Sequence, residues 1–294
     1  MLEQTIYDYE YLNRIKEHYP VYSESEKKIA DFFLENVQPE NMKQISSMSA
    51  VELAEATATS SATIIRFCRA LGFKGLTELK YYINKGILSP HRRGKPLTAD
   101  DSMSVVRQKV GNTNKIAIDD TILLLDDKDL SLAVEKIAEA RQILMASEGG
   151  SGCSAKLAEL MFMQLGLNCQ YPEDGFLQIL YANQLATKDV MIAISHSGRA
   201  SNTIDLVKYA KKRGIFVIGI TSIVNAPLAK LSDIILYTSS MEQEYFSNTA
   251  AARICEISVI SILHSALLQR SESHIASESK IHHLYEMKRI KPSR

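Results

Sequence analysis

Three short stretches of small polar residues in the second half of the chain have the composition of an anion-binding site. They are Ser147-Glu148-Gly149-Gly150-Ser151-Gly152, Ser195-His196-Ser197-Gly198 and Thr221-Ser222. Each closes a run of apolar residues, and the first two open a helical pattern. Glycine lets the backbone approach a ligand, hydroxyl groups donate hydrogen bonds, and a helix N-terminus favours negative charge. Because ligands bind beyond the carboxyl ends of parallel strands, these stretches predict a site for a phosphorylated small molecule.

The same stretches exclude two nucleotide-binding motifs and leave ordinary turns as an alternative. The first stretch breaks the GxGxxG pattern of dinucleotide-binding loops, and no GKS or GKT triplet of a P-loop follows it. Glycine and serine also suit strand-to-helix turns that bind nothing. One such loop would favour that explanation, whereas three loops at the strand ends of one domain favour a ligand site.

Acidic and histidine side chains near these stretches could perform catalysis. Isomerisation of a sugar phosphate needs a general base, which is typically Glu or His. The candidates are Glu148, His196, Glu242 and Glu244. A ligand that is only bound needs hydrogen bonds and no proton transfer, so these residues do not require catalysis. We expect a sensor without catalytic residues or cofactor, and an isomerase is the alternative.

Residues 50–69 have the spacing of a helix-turn-helix, whose second helix enters the DNA major groove. Ala54 lies where the first helix must let the second approach closely. Ala58 stands at a turn position that usually prefers glycine, and Thr59 stands where an apolar residue is usual. The expected DNA contacts are short polar and basic side chains from the start of the second helix onward. They are Ser60, Ser61, Thr63, Arg66, Arg69 and Lys74.

The charge of the chain changes sign at this second helix. Residues 1–60 carry five basic and eleven acidic side chains, a net charge of −6, whereas residues 61–95 carry eight basic and one acidic side chain, a net charge of +7. A local basic patch releases counterions from DNA, so the charge step favours DNA binding. The alternative is an ordinary helical packing unit with a solvated basic face.

The composition of the whole chain limits its partners and its compartment. The 294 residues include 34 basic and 34 acidic side chains, a formal net charge of zero, which excludes coating of nucleic acid or membranes by bulk charge. No signal peptide or membrane-spanning apolar run is recognisable, so we expect a cytoplasmic protein without a membrane partner. Four scattered cysteines predict no disulfide. The histidines of the tail fit no tight metal site, so we expect no metal. They are His274, His282 and His283.

Hydrophobic periodicity predicts an N-terminal all-α helix-turn-helix domain followed by an α/β domain with a doubly wound parallel sheet. In chain order we predict the helix-turn-helix domain, a linker with a connecting helix, a phosphosugar-binding domain and a polar tail, over 1–86, 87–114, 115–270 and 271–294. The predicted strands are 142–147, 167–171, 190–195, 215–221 and 234–238. A last amphipathic helix is a candidate dimer surface, although its apolar face could equally pack within its own domain.

These motifs resemble the RpiR family of bacterial transcription regulators, which pair an N-terminal helix-turn-helix with a C-terminal sugar isomerase (SIS) domain. The first part of the match is Val51–Lys80, where a Ser60-x-x-Thr63 start, an Arg66-Phe67 pair and a Leu71-Gly72-Phe73-x-Gly75 ending occur together. The second part, 143–151 and 190–198, resembles the two phosphosugar-binding loops of SIS domains. The resemblance covers nearly the whole chain.

The polar stretches and the resemblance together predict a set of effector contacts in the loops and beside them. They are Gly149, Gly150, Ser151, Ser195, His196, Ser197, Gly198, Ser201 and Thr221. Of these, the resemblance itself matches Gly149, Ser151, Ser195, Ser197 and Gly198 by position. Two residues depart from the family pattern. Ser147 stands where the first loop usually begins with glycine, and Ala200 stands where the threonine of the SxSGxT motif would contact phosphate. Either the phosphate pocket loses that hydrogen-bond donor, or Ser201 or Thr203 supplies it instead.

Residues and resemblance together predict a DNA-binding regulator of sugar or amino-sugar metabolism that is controlled by a sugar phosphate. One helix-turn-helix reads only a half-site, so we expect a homodimer or homotetramer on a palindromic double-stranded operator. One alternative is a sugar-phosphate isomerase with a fused helical domain. Another is a sugar-phosphate-binding interaction protein whose N-terminal helices contact a second protein.

Overall fold

The computed structural model describes residues 10–73, 75–87, 97–239 and 249–270, together with 275–277, 279–281 and 283. The chain divides into two compact units, Met1–Lys95 and Pro96–Arg294, so the division falls within the segment predicted as a linker. Each unit is described by itself.

The first unit consists of short helices around an aromatic core. In chain order they are α1 (Glu10–His18), a 3-10 turn (Tyr19–Val21), α2 (Glu24–Glu35), α3 (Pro39–Ser47), α4 (Ala50–Ala56), α5 (Ser61–Ala70) and α6 (Leu76–Ile87). The rings of Phe33 on α2 and Phe67 on α5 are stacked, with centroids 6.2 Å apart. Both side chains are at most 1 % exposed, so they fix α5 on α2.

The predicted helix-turn-helix is formed by α4 and α5, and local hydrogen bonds define both ends of each helix. Ser49 caps α4, because its hydroxyl accepts from the Glu52 backbone N–H at 3.2 Å. Ser60 caps α5 in the same way, accepting from Thr63 N–H at 3.2 Å. Gly72 follows α5 with φ of +87°, the left-handed conformation in which glycine commonly ends a helix.

The second unit alternates strands with helices after two leading helices. In chain order its elements are α7 (Met103–Leu124), α8 (Asp127–Glu139), β1 (Ile143–Ser147), α9 (Gly150–Gln164), β2 (Cys169–Gln170), α10 (Gly175–Gln184), β3 (Val190–Ile194), α11 (Ser201–Lys212), β4 (Phe216–Thr221), α12 (Pro227–Leu231), β5 (Ile234–Tyr237) and α13 (Thr249–Arg270). Each strand lies within a predicted strand. The predicted domain limit at 114–115 falls inside α7, which continues across it without a break.

The five strands form one parallel sheet in the order β2-β1-β3-β4-β5. The predicted fold class is therefore confirmed. Strands β1, β3 and β4 are almost wholly buried, as expected when helices cover both faces. The strand order reverses between β1 and β3, and such a switch point opens a crevice at the carboxyl ends of the strands. The first two polar stretches follow these two strands.

Helix α13 packs against the sheet of the second unit. Its side chains Val259, Ile260, Leu263 and Leu267 belong to the same buried cluster as apolar residues of β1, β3, β4 and β5. By length and composition this helix could also cross a membrane. Its packing in the cluster is that of a core helix, which is the second of the two roles that the sequence left open.

Candidate functional site

Helix α5 presents an exposed face with two arginines. Ala62, Arg66 and Arg69 are exposed and lie on one side of the helix, since their spacing is four and three residues. Ile64 and Phe67 on the opposite side are buried in the core of the first unit. The structure therefore places both predicted arginines on the outer surface of the second helix, where a major groove would meet them.

The short polar residues at the start of α5 have structural partners. The Ser60 hydroxyl lies 2.8 Å from the Thr63 hydroxyl, in addition to capping the helix. The hydroxyl of Ser61 donates to the Ala50 carbonyl at 3.4 Å, which ties α5 to α4. These three side chains shape the turn as well as lying near the exposed face. Lys74 lies outside the described residues.

At the first polar loop, the structure links Ser151 to a buried carboxylate. Gly149 precedes α9 with φ of +60°. The Ser151 and Ser154 hydroxyls donate to the two oxygens of Glu256 on α13, at 2.9 and 2.6 Å. Glu256 is fully buried, and this burial raises the pKa of its carboxyl group above the ordinary value. The loop is therefore fixed to α13 through a buried acidic residue.

The guanidinium of Arg253, on the same helix, lies above the start of α9. Its Nη2 donates to Glu256 at 2.7 Å, and its Nη1 lies 2.6 Å from the position that a β carbon on Gly150 would take. The Nε atom of Arg253 is buried and has no hydrogen-bond partner within the part of the chain that the structure describes. A side chain at Gly150 would therefore displace the Arg253 guanidinium from this position.

Ser147 belongs to the framework under the loop. Its hydroxyl donates to the Ile194 carbonyl of β3 at 2.9 Å. Its own carbonyl accepts from Gln178 Nε2 at 2.9 Å and from the Tyr171 hydroxyl at 3.3 Å. The serine that departs from the family pattern thus connects β1 to β3 at the edge of the site.

The second polar loop is closely tied to the end of β4. The His196 carbonyl accepts from the Thr221 hydroxyl at 3.1 Å and from the Ser222 backbone N–H at 3.0 Å. Gly198 has φ of +63°, and a β carbon there would lie 2.8 Å from the Thr221 hydroxyl oxygen. Ser195 is buried, whereas Ser197 is exposed. The structure therefore brings the predicted residues of the second and third stretches together.

The start of α11 lacks a side-chain cap. Ala200 is its N-cap residue and makes no capping hydrogen bond. Ser201 is exposed in the first turn, while Thr203 is fully buried, and its hydroxyl has no partner among the described residues. The first backbone N–H groups of an α-helix have no partner within the helix, so this end can accept an anion from the loop side.

Sequence reasoning missed the Arg253–Glu256 pair. These are the only charged residues between 250 and 269, and that isolation within an apolar helix is the signal that could have revealed them. Two of the acidic candidates, Glu242 and Glu244, and two of the tail histidines, His274 and His282, lie outside the described residues. Among those described, no three His, Cys, Asp or Glu side chains form a cluster able to hold a metal.

A helix-turn-helix unit followed by a doubly wound sheet with polar loops at its switch point defines a class of two-domain proteins. Residues 9–89 match the helix-turn-helix domain of the rpiR family, and residues 136–268 match the SIS domain. An HTH-type transcriptional regulator of Caldanaerobacter subterraneus is 36 % identical over 262 residues, 89 % of this chain and 91 % of the relative. The chain belongs to the RpiR family of HTH-type transcriptional regulators, and its second domain is a SIS domain.

Further relatives and solved structures agree with this assignment. An HTH-type transcriptional regulator of Haemophilus influenzae is 29 % identical over 275 residues, 92 % of this chain and 93 % of the relative. The Vibrio vulnificus NanR protein complexed with ManNAc-6P has a similar fold, with a TM-score of 0.61, 22 % identity and coverage of 96 % of this chain and all of NanR. The sugar isomerase domain of an RpiR transcription factor from Sphaerobacter thermophilus, with a TM-score of 0.56 and 19 % identity, covers 60 % of this chain and 98 % of its own length.

Proposed function

We propose that this regulator binds a sugar phosphate at the carboxyl edge of its sheet, and that the bound ligand changes its affinity for a palindromic operator. One observation carries the proposal. At the switch point between β1 and β3, the uncapped start of α11 and the glycine loop of α9 lie at the same edge of the sheet. Two helix N-termini in one crevice favour an anionic ligand.

The contacts divide between the two loops. Backbone N–H groups at the start of α11, with the Ser197 and Ser201 hydroxyls, bind the phosphate. Thr221 holds the second loop in place through its bond to the His196 carbonyl. Ser195 and Gly198 give that loop its shape. The sugar lies at the first loop, against Gly149, Gly150 and Ser151, where Arg253 adds a positive charge.

On DNA, α5 enters the major groove with Arg66 and Arg69 toward bases or phosphates. Ser60, Ser61 and Thr63 approach the phosphate backbone at the start of the helix, and Lys74 follows its end. A single unit reads one half-site, so the working form is a homodimer or homotetramer. This function needs neither a cofactor nor a metal, and it operates in the cytoplasm.

The effector site is tested by a thermal-shift screen with N-acetylmannosamine 6-phosphate, other hexosamine and hexose phosphates, and their unphosphorylated sugars. The first compound is chosen because the NanR protein of similar fold was solved with ManNAc-6P. A phosphorylated ligand should raise Tm by about 3 °C or more at saturation, and its parent sugar should not. Ser197→Ala should reduce the shift, whereas Thr187→Ala, before β3 at the opposite edge of the sheet, should not. No shift with any phosphate would contradict the proposal.

The DNA role is tested by selecting duplexes from a randomised double-stranded library and measuring their affinity. Arg66→Ala should weaken binding about tenfold without lowering Tm. Lys43→Ala, which removes the same charge from α3, is the control and should have little effect. Equal affinities of wild type and Arg66→Ala would show that α5 is not the recognition helix.

The alternative isomerase function makes a different prediction. Steady turnover of a hexose phosphate by the wild-type chain, abolished by Glu148→Ala or His196→Ala, would establish an enzyme and contradict a sensor without catalytic residues. We expect no turnover, because relatives similar over nearly the whole chain are named as transcriptional regulators.

A further inference from the structure

The arginine that α5 exposes has an acidic partner on another helix. Arg66 Nε lies 3.2 Å from Oε1 of Glu26 on α2. The Arg66 side chain is 64 % exposed, but that of Glu26 is only 14 % exposed. A largely covered carboxylate therefore lies against the exposed arginine of the proposed recognition helix.

Both carboxylate oxygens of Glu26 accept hydrogen bonds, Oε2 from Ser23 and Oε1 from Arg66. Its Oε2 accepts from the Ser23 backbone N–H at 2.9 Å and from the Ser23 hydroxyl at 2.6 Å. These hydrogen bonds, followed by the bond from Arg66, hold the pKa of Glu26 below its ordinary value, so the carboxylate is ionised at neutral pH. The stacked Phe33 and Phe67 rings fix α2 against α5. The position of the negative charge is thus set relative to the recognition helix.

This contact uses one nitrogen of a guanidinium whose side chain is 64 % exposed. Only Nε of Arg66 has a hydrogen bond among the described residues, and neither Nη group has one. Two parallel donors are what arginine uses to bind O6 and N7 of guanine. An arginine that is already oriented also loses less side-chain freedom when it binds.

The same carboxylate disfavours DNA in general. A negative charge beside the DNA-facing surface repels the phosphate backbone whatever the base sequence. A residue that lowers affinity for all DNA while orienting one base-reading side chain increases discrimination between sequences.

We propose that Glu26 is a positioning residue that makes Arg66 a reader of a base in the major groove rather than a general phosphate contact. The inference rests on the proposed DNA role of α5. It assigns to α2, outside the helix-turn-helix itself, a part in sequence specificity.

The test compares two duplexes, the one that wild-type protein selects from a randomised library and a scrambled version of it. Affinities for both are measured at one salt concentration for wild type, Glu26→Gln, Arg66→Ala and the double variant. Glutamine keeps an acceptor oxygen for the Ser23 N–H, and Tm is recorded to confirm that α2 is intact. Glu24→Gln is the matched control, because that carboxylate is 88 % exposed in the first turn of the same helix and pairs with Lys27.

Glu26→Gln should lower the ratio of selected to scrambled affinity about tenfold, while affinity for the scrambled duplex rises about twofold. In the Arg66→Ala background, Glu26→Gln should leave the ratio of selected to scrambled affinity unchanged. The control Glu24→Gln, made in the wild-type chain, should also leave this ratio unchanged. If Glu26→Gln raised the affinity for both duplexes equally, Glu26 would act only by repelling DNA, and the inference would be overturned. The inference would also be overturned if Glu26→Gln lowered the ratio of selected to scrambled affinity in the Arg66→Ala background. Failure of the wild-type chain to select any sequence would instead refute the DNA role itself, and the inference with it.

Discussion

At the scale of single residues, backbone conformation restricts which residue types fit in two loops. These are the turn of the helix-turn-helix at Ala58 and the second polar loop at Gly198. Ala58 in the turn of the helix-turn-helix has φ of +48°. Among the residues that the structure describes, no other non-glycine residue has a positive φ. The left-handed conformation costs a residue with a β carbon roughly 1–2 kcal/mol. The turn nonetheless holds, because the Thr57 and Thr59 hydroxyls lie 2.8 Å apart and Thr59 N–H donates to the Ala54 carbonyl at 2.8 Å. Thr59 thus replaces the usual apolar residue with a polar contact.

Ala58→Gly should stabilise the first unit by about 1 kcal/mol, since glycine adopts positive φ without steric cost. Chemical denaturation measures the change. Ala56→Gly, two residues earlier at an exposed helical position, is the control and should destabilise by about 0.5–1 kcal/mol. Destabilisation by both substitutions would show that Ala58 is not strained.

Gly198→Ala should destabilise the second unit by about 3 kcal/mol and abolish the thermal shift by a sugar phosphate. Its φ is +63°, and an added β carbon would lie 2.5 Å from the Ala226 β carbon. Gly111→Ala in α7, where no atom lies within 4 Å, should instead stabilise by about 0.5–1 kcal/mol. A Gly198→Ala protein with normal stability and ligand response would contradict the described loop.

At the scale of elements, a buried aspartate connects the starts of two central strands. Asp189 precedes β3, and its side chain is fully buried. It accepts from Arg141 Nη2 and the Ala186 N–H, both at 2.7 Å, and from the Gln142 N–H at 3.1 Å. Burial alone would raise its pKa, but the hydrogen bonds and charge of Arg141 and the backbone N–H groups outweigh it and hold the pKa below 3.8. β1 and β3 are thereby aligned at the edge opposite the proposed effector site.

Asp189→Asn should destabilise the second unit by about 2 kcal/mol, because an amide cannot accept all these bonds. The folded pKa lies below the unfolded one, so the contribution of Asp189 is complete above about pH 4 and is lost as pH falls through the folded value. Urea denaturation at pH 7 and pH 3 should show a smaller difference between wild type and variant at pH 3. The control Asp205→Asn, whose exposed side chain pairs with Lys208, should change stability by less than about 0.5 kcal/mol. An unchanged stability of Asp189→Asn at pH 7 would contradict the described contacts.

The sequence predicted elements better than it predicted contacts between them. Apolar runs located all five strands, and Ser60 and Gly72 located the start and the end of α5, because these signals are local. The pairing of Ser151 with Glu256 joins residues 105 positions apart, and no local pattern specifies it. The partnership of Arg66 with Glu26 spans 40 positions and was missed for the same reason. Local chemistry therefore indicates the loops of the proposed site, and tertiary packing determines which side chains lie against them.

At the scale of the whole molecule, the net charge of zero results from cancellation between segments. Residues 1–60 carry −6, residues 61–95 carry +7, and the remaining residues carry −1. The positive charge is thus concentrated in the segment from the proposed recognition helix to the predicted linker, while residues 96–294 are nearly neutral. In the proposed regulator bulk charge therefore contributes little to DNA binding, so a ligand of modest coupling energy is sufficient to adjust the affinity for a particular site.

The central claim is that a sugar phosphate and an operator are linked through one protein. Fluorescence anisotropy of the library-selected duplex, titrated with the chain in the presence and absence of the phosphate that gives the thermal shift, tests it directly. If ligand binding and DNA binding are coupled, we expect the phosphate to change the Kd for the duplex by at least about fivefold. The parent sugar should not change this Kd, and the phosphate should change it less in Ser197→Ala. An identical Kd with and without a phosphate that demonstrably binds would contradict the account.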